Sequence, residues 1–235
     1  MNTRALFVVI LLLAVFFRFW QIGSVPPGLY PDEAMNGTNA LQALEGGDFL
    51  PYYIDNNGRE GLFINLQALA IWFFGNEAWV LRFVSALFGT IAVWGIYLLT
   101  KELFWNKNSE IVALLSSFFL ATSYWHTTLS RLGFRAITTP TLSILAFYFL
   151  FRGMRRNSMV DFALSGIMLG LGLNGYIAFR FLPFAFAVPV LIGLWRWWKN
   201  RSLSPEGTSS ACFPCAVVLI GIFVVAACTP LIMYF

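Results

Sequence analysis

The sequence predicts an all-α protein, a polytopic transmembrane helix bundle of about seven spans. Three observations carry this reading. Of 235 residues, 59% are hydrophobic and only 11% charged, with a mean hydropathy of +0.73. A soluble domain carries about 25% charged residues to keep its surface wetted. Apolar runs of about 15–24 residues recur along the chain, close to the roughly 17–25 that cross a bilayer. The basic residues fall mainly in alternate loops between those runs.

The first run, Ala5–Trp20, follows Asn2-Thr3-Arg4 and ends on Arg18, Trp20 and Gln21 with no small-residue cleavage site. It reads as a retained anchor with its basic end inside. The other spans are Ala78–Thr100, Ile111–Thr128, Ile137–Phe151, Phe162–Phe179, Phe181–Trp198 and Cys212–Phe235. Leu62–Phe74 is shorter, about 13 residues with Asn65 and Gln67 inside, which predicts an interfacial or re-entrant helix. Charge supports that choice. If Leu62–Phe74 does not span, the inner segments hold Arg4, Lys101, Lys107, Arg152, Arg155, Arg156, Arg196, Lys199 and Arg201, nine of the 15 Lys and Arg. If it spanned, the loops at Lys101–Glu110 and Arg152–Ser158 would be thrown outside, against the positive-inside pattern. The reading is therefore a multi-pass protein of a plasma or inner membrane with a cytoplasmic N-terminus. Residues 21–77 form the first extracytoplasmic loop, with juxtamembrane helices.

The net charge of +4 is thus topological, and no nucleic-acid partner is implied. Cys212, Cys215 and Cys228 lie in the last apolar run, where packing explains them better than redox or metal chemistry. That run reaches Phe235 without an exit, so 1–235 reads as one transmembrane module truncated at its C-terminus.

Chemistry concentrates on the outer side. In Tyr30-Pro31-Asp32-Glu33-Ala34, Pro31 suits the first position of a helix, and the two acids face the positive end of its dipole. Gly46-Gly47 supplies a stop, so Pro31–Glu45 reads as a short helix outside the bilayer. Acids in such a position are often mere helix caps. At the mouth of a membrane bundle they also suit base chemistry, and adjacent residues diverge by about 100° on a helix, so one would act while the other orients. The outer arginines are the complement: Arg59 beside Glu60, Arg131 and Arg135 flanking Leu132-Gly133-Phe134, and Arg180 after Asn174-Gly175-Tyr176. Guanidinium forks match phosphate with paired hydrogen bonds; headgroup anchoring explains an interfacial arginine equally well, and Arg18 and Arg82 better. His126, the single histidine, sits at the outer end of the third span, and with no second His or Cys near it no zinc ligand set forms.

Two patterns are set aside. Gly170-Leu171-Gly172-Leu173-Asn174-Gly175 spells a dinucleotide fingerprint but has no strand before it, and Gly166 with Gly170 reads as close helix packing. Asn36-Gly37-Thr38 is a glycosylation sequon that chance often produces.

The outer loop with its Asp32-Glu33 pair, Gly75-Asn76-Glu77-Ala78-Trp79-Val80-Leu81-Arg82 leading into the next span, and Ser130-Arg131 resemble the GT-C superfamily of membrane glycosyltransferases. The resemblance is to family 39, which holds protein O-mannosyltransferases and the aminoarabinose transferase of lipid A. Two motifs depart from it: Gly58-Arg59-Glu60-Gly61-Leu62 stands where many members have His-Pro-Pro, and Arg135 follows Ser130-Arg131 where many have an Asp. The resemblance implies a polyprenyl-phosphate sugar donor and a hydroxyl acceptor; in-line attack would invert the anomeric centre, no cofactor is expected, and the missing Asp argues against a bound metal. On that reading Asp32 is the base and Glu33 its support. Arg131, Arg135 and Arg180 bind the lipid phosphate, and Arg59, Glu60, His126 and Tyr176 complete the substrate-binding set. A transporter or flippase of a lipid-linked saccharide, needing the arginines but no base, stays open, as does a non-catalytic assembly subunit.

Overall fold

The computed structural model describes residues 3–55, 58–104, 108–203 and 213–232. Lys107, Cys212 and the chain end at 233–235 lie outside the described residues, as do the side chains of Arg201 and Cys228.

The chain is helical nearly throughout. Helix α1 (Thr3–Phe19) leads through a loop to α2 (Pro31–Gly46), which begins at Pro31 as its sequence requires and stops at Gly47 in the left-handed region, φ 72°. A two-residue antiparallel pair follows, β1 (Tyr52–Tyr53) against β2 (Arg59–Glu60), with Tyr52 opposite Glu60 and Tyr53 opposite Arg59. The sequence reading did not anticipate it. Then come α3 (Gly61–Phe74), α4 (Ala78–Leu103), α5 (Ser109–Thr122), α6 (Tyr124–Arg131), α7 (Thr138–Arg156), α8 (Met159–Leu173), α9 (Leu182–Leu203) and α10 (Phe213–Ile232). Short 3-10 turns at Arg135–Ile137 and Ile177–Phe181 lead into α7 and α9.

Three helical stretches have both the length and the hydropathy to cross a membrane: Ala78–Leu103, Arg135–Arg156 and Ile177–Lys199. Helices α3, α5, α8 and the Cys215–Ala226 part of α10 are apolar but shorter. Two expected spans are broken. Ile111–Thr128 divides at Ser123 into α5 and α6. Phe162–Phe179 ends at Leu173, because the chain folds back there: a Cβ on Gly172 would lie 2.0 Å from the Phe179 ring, and one on Gly175 would lie 2.7 Å from the Thr138 hydroxyl. Two of the glycines that mimicked a dinucleotide fingerprint, Gly172 and Gly175, serve this reversal. Gly166 does pack closely, its missing Cβ replaced by the Ile220 carbonyl of α10.

Two apolar cores order the bundle. One joins α2, α3 and α4 through Ala40, Phe63, Ile64, Val80 and Leu81, and so fixes α2 and α3 to the long apolar helix α4. The other joins α7, α8, α9 and α10 through Leu150, Phe162, Phe186 and Ile220. Helix α9 turns Phe184, Leu191 and Trp198 outward, an apolar face suited to lipid rather than water. Helix α3 buries Phe63, Ile64 and Gln67 while leaving Trp72, Phe73 and Phe74 exposed.

Candidate active site

The first turn of α2 separates its two acids. Glu33 is completely buried and pairs with Arg82, Nε to Oε1 at 2.7 Å. It also accepts the backbone N–H of Tyr30 at 3.2 Å and of Gly133 at 3.3 Å. Arg82 spends its remaining donors on the carbonyls of Ile22 (3.0 Å), Pro26 (2.9 Å) and Gly28. This pair ties the approach to α2, the start of α4 and the loop after α6 into one unit. Gly133 has to be glycine-sized here, since a Cβ would come within 3.0 Å of the Glu33 side chain. Arg82 was read as a headgroup anchor; it turns inward instead.

Asp32 points the other way, with its side chain 52% exposed. Arg59, buried in β2, donates to the Asp32 carboxylate at 2.7 Å, to the Asp32 carbonyl at 3.1 Å and to Asn36 Oδ1. Asn36, one turn along α2, is buried as well and donates to the Gly133 carbonyl at 3.3 Å. Its sequon is therefore closed to glycosylation in the folded protein. Arg59 thus holds Asp32 from behind and also lines the cavity beside it.

Residues alternate sides along a strand. Glu60 accordingly leaves β2 on the side opposite Arg59 and accepts Arg135 at 2.7 Å and Arg180 at 3.3 Å. Arg135 also lies 5.5 Å from the centroid of the Tyr176 ring, in cation–π contact. Gly61 makes the tight corner possible, because a Cβ there would collide with the Leu50 carbonyl at 2.1 Å. The result is a cavity of about 330 Å³ walled by Asp32, Asn36, Arg59, Phe134, Arg135, Ala136 and Tyr176. Arg180 stands nearby on Glu60, half of its side chain exposed. The cavity thus offers one carboxylate and several guanidinium groups, which is what a hydroxyl acceptor and a phosphate ester require.

Two of the expected site residues lie elsewhere. Arg131 ends α6 and donates to the carbonyls of Phe17 (2.9 Å) and Val25 (2.7 Å), lining a separate groove. Its spacing from Arg135 looked helical, but the helix stops at Arg131, so the two side chains part. Burial, and then the charge of Arg82, lowers the Arg131 pKa from its usual value. His126 is buried against Arg18, whose guanidinium donates to its Nδ1 at 2.9 Å. Arg18, expected at the lipid interface, is fully buried and also donates to the carbonyls of Ala14, Leu120 and Ala121 at 3.0–3.2 Å. That arrangement caps the carbonyl end of α5 with a cation. Sequence reasoning missed Asn36 and Phe134 as cavity residues; the spacing of Asn36 one turn after Asp32 was the available signal.

Fold and cavity together define the GT-C class of polytopic membrane protein. The pattern of the dolichyl-phosphate-mannose-protein mannosyltransferase family matches residues 62–229, and the chain belongs to that family. An undecaprenyl phosphate-alpha-4-amino-4-deoxy-L-arabinose arabinosyl transferase of Pseudomonas fluorescens is 28% identical over 200 residues, 81% of this chain and 34% of that one. The fold matches the S. cerevisiae protein O-mannosyltransferase Pmt1–Pmt2 complex bound to the sugar donor, with a TM-score of 0.74 at 18% identity over 100% of this chain and 33% of that one. It also matches the Archaeoglobus fulgidus oligosaccharyltransferase in its apo form, with a TM-score of 0.65 at 17% identity, over 97% of this chain and 33% of that one. The chain therefore spans about a third of the length of these relatives. It is an integral membrane protein with the GT-C fold.

Proposed function

We propose that this chain forms the N-terminal catalytic part of a glycosyltransferase. It moves a sugar from a polyprenyl-phosphate donor to a hydroxyl acceptor at the extracytoplasmic membrane face, with inversion. The observation that carries the reading is a half-exposed Asp32 in the same cavity wall as Arg135. The relatives' names support the donor class, since one uses an undecaprenyl-phosphate sugar and the family is named for dolichyl-phosphate-mannose.

The steps balance simply. The acceptor hydroxyl gives its proton to Asp32 as its oxygen bonds the anomeric carbon. The bond from that carbon to the phosphate oxygen breaks, and the electron pair leaves with the polyprenyl phosphate. A phosphate ester is a good leaving group, so no strong general acid is required. A positioned base contributes about 10²–10⁴-fold. Arg135, with Arg180 beside it, faces the charge that develops on the phosphate, where fixed donors in a dry site stabilise most. Arg59, which also donates to Asn36 Oδ1, holds the Asp32 carboxylate in one orientation, which keeps the attack geometry productive. Attack opposite the leaving group inverts the anomeric centre.

Placement at the extracytoplasmic face is supported by the charge at the two ends of α4. Its Arg82 end meets the Asp32 loop, and its far end carries Lys101 and Glu102, with Lys101 paired to Glu110 at 2.8 Å and Arg155 paired to Glu102. Helix α4 has 26 residues, and at about 1.5 Å per residue it separates the ends by roughly 39 Å. The basic cluster at the far end belongs inside.

The test is sugar transfer by membranes holding the protein, given a synthetic polyprenyl-phosphate sugar and hydroxyl acceptors, with the product's anomeric configuration read by NMR. Inverted product with equimolar release of polyprenyl phosphate is expected from the wild type and not from Asp32→Asn. Lipid-linked sugar crossing the bilayer intact, equally in both proteins and with no transfer in either, would favour a flippase.

A further inference from the structure

A charged side chain is costly to leave without a partner in a membrane protein. Among the described residues, Arg59, Arg82, Arg135, Arg152, Arg155 and Arg180 each meet a carboxylate. Arg131 does not. Its guanidinium lies across the last turn of α1 and the loop beyond it, using one donor on the Phe17 carbonyl and one on the Val25 carbonyl. A guanidinium has five N–H donors, so the fork retains capacity for an anion. Burial and the charge of Arg82 weigh against the lone cation, and an incoming anion would relieve both.

The surroundings define what kind of anion fits. Arg131 forms the polar wall of a groove of about 240 Å³ whose other walls are Phe16, Phe17, Trp20, Gln21 and Val25. Phe16, Trp20 and Val25 are all exposed, in contact with whatever surrounds the bundle. An aromatic and aliphatic trough with one guanidinium at its end, at the end of a membrane anchor, is amphipathic in the sense of a lipid: phosphate on the cation, glycerol and acyl carbons along the rings. A soluble anion would use the guanidinium and leave the trough wet. None of the residues lining the Asp32 cavity lines this groove.

We propose that Arg131 and the Phe16–Trp20–Val25 trough bind the phosphate and proximal acyl chain of an anionic glycerophospholipid, at a site separate from the one that takes the sugar donor. This inference does not depend on the glycosyltransferase reading. The bound lipid closes the seam between α1, the Gln21–Val25 loop and the end of α6.

The experiment uses the purified, delipidated protein in detergent and follows its unfolding midpoint as phosphatidylglycerol is added. At about 100-fold excess over Kd, the midpoint should rise by roughly 5–10 °C. Inorganic phosphate at the same concentration should produce no rise. Arg131→Gln should abolish the response to phosphatidylglycerol. Should that variant fail to fold, Gln21→Glu keeps the test alive: a carboxylate placed in the groove pairs with Arg131, so the lipid-free protein stays folded and the lipid response is lost. An equal rise in wild type and variants, or a rise with inorganic phosphate alone, overturns the proposal. A purified protein that transfers no sugar yet still shows the Arg131-dependent rise would sink only the catalytic reading.

Discussion

Asp32 and Glu33 are neighbours in the chain with the same chemistry, and the fold gives them opposite surroundings. Glu33 is sealed between Arg82, the Tyr30 amide and the Gly133 amide, so its charge is used up on structure. Asp32 is held from behind by Arg59 while half of its side chain faces an open cavity. The difference follows from helical geometry alone, because about 100° of rotation turns one acid into the core when the other faces out. The lesson is that burial, and not the pairing itself, separates an ion pair that builds a loop from one that can work in it.

The comparison can be broken at several points. The largest effect belongs to Asp32→Asn, which should lower sugar transfer by about 10²–10⁴-fold. The unfolding midpoint should stay nearer to wild type than in Glu33→Ala, because the Asn amide oxygen can still accept from Arg59. Glu33→Ala should do the reverse: it leaves Arg82 buried and unpaired, a loss of about 3–5 kcal/mol measured by denaturant unfolding. If Glu33→Ala unfolds no more easily than Asp32→Asn, the division of labour is wrong. Arg135→Gln removes charge-assisted hydrogen bonds to the donor phosphate. An increase in donor KM of about 10–100-fold is expected, with little change in acceptor KM. Gly133→Ala is the mildest, pressing on the Glu33 side chain at 3.0 Å and costing about 1–3 kcal/mol in stability.

Much of this was legible in the sequence, for reasons that can be named. Helix α2 announced itself, since Pro31 can start a helix and Gly47 can stop one in a conformation that other residues resist. The divergence of the two acids followed from spacing alone. Hydropathy marked the apolar helices, because a span must be apolar whatever its partners. Other features had no local signal. Two-residue strands have no periodicity to read, so the alternation that sends Arg59 towards Asp32 and Glu60 towards Arg135 and Arg180 was invisible. The rotation of α1 that buries Arg18 against His126 depends on what packs around it, which a single sequence does not record. Arg131 and Arg135 misled for a sharper reason. Their spacing implied one helical face, but the helix ends at Arg131, and Leu132 and Gly133 carry the chain to a new direction.

The most direct test of the central claim is to measure donor binding and transfer on the same preparation of folded Asp32→Asn protein. The account predicts that a polyprenyl-phosphate sugar binds within about threefold of the wild-type affinity while transfer is lost, the pattern of a group needed only in the transition state. Transfer at the wild-type rate would contradict it, and so would a loss of donor binding as large as that of Arg135→Gln.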